Sequence, residues 1–91
     1  MAETAPELRK RIKEVIVEDL MLSLNPEEIT DDAPIFGPDG LAADSVDALQ
    51  LVVALEKNFG LRLPDAATAR ETLVDIESIA KAVEAKRARG A

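Results

Sequence analysis

The 91-residue chain contains no cysteine and no histidine. Without them it can build neither a disulfide nor a zinc site, a thiol nucleophile or a triad in which His is the general base. Tryptophan and tyrosine are also missing, and Phe36 and Phe59 are the only aromatics. A base-stacking surface or an aromatic-rich binding patch is therefore excluded, and the core must be aliphatic. No long hydrophobic run occurs, the longest being Leu51 to Leu55. The first residues carry Glu3 and Glu7 and then Arg9, Lys10, Arg11 and Lys13, with no apolar stretch before them. The reading is no signal peptide and no membrane span, with the cytoplasm as the default location.

Positive charge is scarce as well. Eleven Lys and Arg stand against 18 Asp and Glu, a net charge of −7 and an isoelectric point near 4.5. Affinity for phosphate backbones comes mainly from clustered basic residues, so nucleic acid is excluded and basic protein surfaces are the expected partners. A chain of this length buries about 60 to 70% of its unfolded surface, enough for one core. We therefore expect a single domain over 1–91, with its core at about 6–85 and flexible termini.

What is present is helical periodicity. Leu8, Ile12, Val15, Ile16 and Leu20 form one apolar stripe and predict a helix over 6–22. Its basic first turns and its Glu18 and Asp19 oppose the helix dipole, so packing must hold it. Asn25-Pro26-Glu27-Glu28 reads as a capped first turn that goes no further. Residues 23–43 are read as one long loop with Ile29, Ile35, Phe36 and Leu41 as plugs, a length that usually has a functional reason.

Asp44 has the side chain of an N-cap, with Asp47 three residues later as in a capping box, and Gly60 suits the end of that helix. Leu49, Leu51, Val52, Val53, Leu55 and Phe59 cover most of its circumference, which predicts a central, nearly buried helix. Asp47, Gln50, Ala54 and Lys57 share its remaining face. A short helix within Ala66 to Glu71 follows, and Asp75 caps a last one with Ile76, Ile79, Ala80 and Val83 inward. The fold class is all-α, a four-helix bundle of three long helices and one short one.

Between Lys13 and Lys57 there is no basic residue but eleven acids. Such a block serves solubility or steers basic partners over a Debye length of about 8 to 10 Å. Asp31, Asp32 and Asp39 lack the alternating spacing and the closing Glu of a calcium loop, so no metal site is expected. Within the block lies Asp44-Ser45-Val46-Asp47, a serine in the first turn of a helix. As a nucleophile Ser45 would need an adjacent base and an oxyanion hole, and without His the chain offers only carboxylates or Lys as base, so the chain is read as no enzyme. As the acceptor of a covalent phosphodiester it sits where helix N–H groups and the dipole favour a phosphate, while Asp44 and Asp47 repel one. The activating base and cation then belong to a modifying enzyme.

Asp44-Ser45-Val46-Asp47, followed by Leu49-Gln50-Leu51-Val52-Val53-Ala54-Leu55-Glu56-Lys57-Asn58-Phe59 and Pro64-Asp65, resembles the acyl carrier proteins over roughly residues 6–85. The resemblance implies that Ser45, within a motif completed by Asp44, bears covalent 4′-phosphopantetheine taken from coenzyme A by a phosphopantetheinyl transferase. Acyl intermediates then ride on the arm's thiol as thioesters. It further implies a free-standing monomer that meets acyl-transfer and ketoacyl-synthase enzymes with basic docking patches. The expected docking residues are Val46, Asp47, Gln50, Ala54 and Lys57. Gln50 and Lys57 stand where carriers of primary fatty-acid synthesis are usually acidic, and Phe36-Gly37-Pro38-Asp39-Gly40 looks like ancillary carriers of specialised lipid or polyketide pathways. The reading from another class is a small acidic interaction module in which Ser45 only adjoins a cap. Val46, Leu49, Val53, Leu63, Ile76 and Ile79 can admit an acyl chain between helices or simply fill the core.

Overall fold

A computed structural model describes residues 5–37, 40–42 and 44–90, excluding the side chains of Ala5, Ser45 and Gly90. It contains helices α1 (Ala5–Asp19), α2 (Ser45–Phe59), α3 (Ala66–Thr72) and α4 (Ile76–Gly90), with a 3-10 turn at Pro26–Glu28. Extended pairing among the described residues is limited to one isolated bridge, Pro34 to Asp75. The architecture is the expected four-helix one, and α4 runs past the expected core limit at 85.

The apolar stripe of α1 is inward, with Leu8, Ile12 and Ile16 buried and Val15 and Leu20 half-buried. Its basic first turns oppose the dipole but are used across the fold. The Arg9 guanidinium donates from Nε to Glu77 Oε2 at 3.1 Å and from a terminal nitrogen to Oε1 at 2.8 Å. Lys13 Nζ lies 2.9 Å from Asp31 Oδ1. The hydrogen bond from Arg9 to Glu77, with the nearby carboxylates, raises the Arg9 pKa and keeps it a cation. Helix α1 is thereby tied to the start of α4 and to the following loop.

The first helix ends at Asp19, three residues short of the expected 22. Met21 adopts φ 52°, the Leu22 amide donates to the Val17 carbonyl at 3.0 Å, and the Met21 amide donates to Glu18 at 3.3 Å. This is a Schellman termination with methionine where glycine is usual. No glycine or proline marks it, which is why periodicity overran it.

The connection to α2 is partly ordered. Asn25 caps the 3-10 turn by accepting from the Glu27 amide at 3.0 Å. Ile29 and Ile35 are buried plugs and Leu41 is half-buried, whereas Phe36 is 37% exposed and plugs nothing. A bend brings Pro34 and Ile35 against Leu41 and Ala42: the Leu41 amide donates to the Pro34 carbonyl at 3.1 Å and the Ala42 amide to that of Ile35 at 2.9 Å. A Cβ on Gly40 would sit 2.5 Å from the Ile35 oxygen and 2.6 Å from the Phe36 carbonyl carbon, so only glycine fits there. The Ile35 amide, donating to Val74 at 3.0 Å, fastens the bend to the segment before α4.

Helices α2, α3 and α4 begin as their sequences direct. Asp44 and Asp65 accept from the amides of Asp47 and Thr68 at 3.0 and 2.8 Å. Asp75 and Ser78 form a reciprocal capping box, with the Ser78 amide on Asp75 Oδ1 at 2.8 Å and the Asp75 amide on Ser78 Oγ at 3.0 Å. Gly60 closes α2 at φ 67°. The core joins Leu8, Ile12 and Ile16 to Leu51, Leu55 and Phe59 of α2 and to Ile76, Ile79 and Val83 of α4. Each such aliphatic side chain contributes roughly 1.5 to 3 kcal/mol by leaving water. Helix α3 has no buried residue.

Candidate functional site

The site is built at the start of α2. Asp44 holds an extended backbone, φ −149° and ψ −176°, and caps the helix through the Asp47 amide. Ser45 is the first helical residue; its side chain lies outside the described ones, as does Asp39. The helix start brings Asp44, Ser45 and Asp47 into one turn, where unpaired backbone N–H groups and the dipole favour an added anion.

Beside this turn opens a cleft of about 960 Å³ between α2, α3 and the 34–42 bend. Ala48, Leu49 and Val52 form one wall and Leu63, Ala69 and Leu73 another, with Asp44, Asp65 and Arg70 also bordering it. A phosphopantetheine arm fits this setting: a helix N-terminus stands next to an apolar, open space large enough for an alkyl chain. Hydrogen bonds from the backbone and side chain of Thr68 hold the Asp65 carboxyl below its ordinary pKa, so it stays ionised.

The outer face of α2 differs from the sequence expectation. Val46 and Leu49 are each 64% exposed and Val53 is 57% exposed, so the helix is far from nearly buried. Gln50 and Lys57 are exposed on the same side, and Asp47 is half-buried. Ala54 is only 2% exposed and belongs to the core, not to a docking face. At about 100° per residue Val46, Leu49, Gln50, Val53 and Lys57 cluster within one third of the circumference, while Ala54 turns towards its packed side. That angular count was the available signal for Leu49 and Val53. Asp65 and Arg70 carried no comparable signal, because their place depends on how α3 folds back.

The acid block is not a uniform sheet of free charge. Asp31 is paired with Lys13 and lies 3.8 Å from Arg9, and Glu56 lies 4.0 Å from Arg62. No cluster of three or more potential metal-ligating residues occurs among the described residues, and no helix there is long and apolar enough to cross a membrane.

A family model for the phosphopantetheine attachment site matches residues 10–83. The chain is 37% identical over 78 residues to the acyl carrier protein of Bradyrhizobium sp. (strain ORS 278), covering 86% of this chain and 91% of the relative. The acyl carrier proteins of Nitrobacter hamburgensis and Rhodopseudomonas palustris (strain TIE-1) match to the same extent. The cap, the helix start and the cleft thus belong to a non-enzymatic carrier that bears 4′-phosphopantetheine, and the chain is a member of the acyl carrier protein family.

Proposed function

We propose that Ser45 is the residue that bears the phosphopantetheine arm, and that the chain works as a single carrier domain, a cytoplasmic monomer, in a specialised lipid or polyketide pathway. The observation that carries the site assignment is the position of Ser45: first residue of α2, directly after the cap Asp44, beside the apolar cleft. Ser23 precedes the 3-10 turn, and the Ser78 hydroxyl is engaged by the Thr72 and Asp75 carbonyls at 2.7 and 2.9 Å.

The arm supplies a thiol on which an acyl group is held as a thioester. The chain's own residues do the rest. Asp44 fixes the first turn, so the Ser45 backbone is presented in one orientation. Val46, Leu49 and Val53 form an exposed apolar strip, flanked by Gln50 and Lys57, on which a phosphopantetheinyl transferase and the acyl-transfer and ketoacyl-synthase enzymes dock. Asp44 and Asp47 attract basic partner groups, and they repel the arm's phosphate, so the cation that assists attachment comes from the transferase. Gln50 and Lys57 make this face less acidic, which suits partners outside primary fatty-acid elongation.

The test is coexpression with a broad-specificity transferase, followed by intact mass and peptide mapping. One phosphopantetheinyl mass is expected on the peptide containing Ser45, and Ser45→Ala should remove it. Modification of the alanine variant would overturn the assignment.

A further inference from the structure

Arg70 is a cation on the border of a cleft whose walls are largely apolar. It lies in the last turn of α3, where the dipole tolerates a positive charge, but that does not explain why it borders the cleft rather than pairing with an acid. Among the described residues it forms no ion pair, whereas Arg9 pairs with Asp31 and Glu77, Lys13 with Asp31 and Arg62 with Glu56. Among the described residues lining the cleft it is the only basic one, and the other charged ones are Asp44 and Asp65. Asp65 accepts from the Thr68 amide and Asp44 from the Asp47 amide, so both carboxylates are occupied as caps.

The consequence follows from charge. An anion brought beside Asp44 and Asp65 meets two carboxylates, and in a cleft with apolar walls that repulsion is screened less than in open water. One guanidinium on the same wall offsets one of those two charges and supplies a donor, because its planar fork can donate two hydrogen bonds to a phosphate or carboxylate. We propose that Arg70 is an anion-binding residue of the cleft, which holds an oxyanion tethered through the arm on Ser45. The inference rests on the attachment site proposed above. The oxyanion has two possible sources with the same chemistry: the phosphodiester of the arm, or the distal carboxylate of a carboxyacyl cargo lying along the apolar wall.

The experiment uses the intact chain as unmodified, phosphopantetheinylated, hexanoyl-loaded and adipoyl-loaded protein, the last two matched in chain length. Mass spectrometry first verifies one modification on Ser45, so failure of the site assignment is seen separately. The readout is the Arg70 side-chain Nε–H resonance together with the phosphorus resonance of the arm. A downfield Arg70 shift on modification, together with a phosphorus resonance of the arm that differs between the phosphopantetheinylated wild type and phosphopantetheinylated Arg70→Gln, supports the phosphodiester as ligand. A downfield shift that appears only with adipoyl cargo supports the carboxylate. If the Arg70 resonance is the same in all four species while mass shows full loading, the proposal is overturned. Arg70 is exposed and outside the core, so Arg70→Gln should leave the melting temperature of the unmodified protein unchanged.

Discussion

Helices α1 and α4 use their aliphatic residues to finish a core, and α2 and α3 leave theirs unfinished. Leu8, Ile12, Ile16, Ile76, Ile79 and Val83 are buried, and Arg9 with Glu77 fastens the two helices that carry them. Val46, Leu49, Val53 and Val74 are exposed, and α3 buries nothing. The two halves draw on the same residue types, so hydrophobicity alone does not separate them. Neighbours do. Helix α2 has a packed side, with Leu51 and Leu55 in the core, and the long-helix arrangement leaves its other side exposed. One half closes the core and the other keeps apolar surface in contact with water.

The largest effect should come from removing methylenes on the finished side. Ile12→Ala or Ile79→Ala should lower unfolding free energy by about 2 to 5 kcal/mol in urea titrations, while Val53→Ala stays within about 0.5 kcal/mol. Equal losses would erase the distinction. Next, Asp44→Ala should cost about 0.5 to 2 kcal/mol because the Asp47 amide loses its acceptor, and Ser45→Ala should be nearly neutral by the same titration.

A smaller, local effect concerns pH at α3. The folded Asp65 carboxyl has a pKa below its unfolded value, so its stabilisation is complete above the ordinary carboxylate value of about 4. It is lost as pH falls through the depressed folded value. The Thr68 amide resonance should therefore move only under strongly acid conditions, and Asp65→Asn, which still offers an acceptor oxygen, should flatten that titration. A titration at or above the ordinary value would contradict the sign.

The smallest effect should appear in association rates. With Gln50→Glu and Lys57→Glu together, the exposed strip of α2 gains negative charge without losing apolar area. A ketoacyl synthase of primary elongation should then capture the phosphopantetheinylated carrier a few-fold faster at low salt, with the gain vanishing at high salt. Identical rates at low salt would mean that apolar fit, not charge, decides partner choice on this side.

The helix starts were legible because capping is local: Asp44 and Asp75 announce their helices within three residues. The four-helix class was legible from periodicity. Three things were not. Met21 ends α1 in a left-handed conformation that its side chain disfavours, so its residue type predicts the opposite. Ala54 is small enough for either surface or core, and only the approach of other helices decides. Leu49 and Val53 share an angular sector with Gln50 and Lys57, but they are apolar, and a periodicity argument assigns apolar residues to the core unless that count is weighed or the number of packing neighbours is known. The helix start at Ser45 was thus legible, whereas the burial of Ala54, the exposure of Leu49 and Val53 and the place of Arg70 required the fold.

The bend at 34–42 makes the α1–α2 connection behave as two mechanical parts in series. At the exposed Ser23, between α1 and the 3-10 turn, the chain is a short tether whose lengthening is inexpensive, since each doubling of an open loop costs only about 0.6 kcal/mol in closure entropy. At its other end Pro34 and Ile35 are hydrogen-bonded to Leu41 and Ala42, and the Ile35 and Phe36 backbone lies against Gly40, a strut that holds these residues at a set separation. Changes of length in the tether are absorbed before they reach α2. A residue added to the strut is transmitted to Asp44, and so to the point where the arm is anchored.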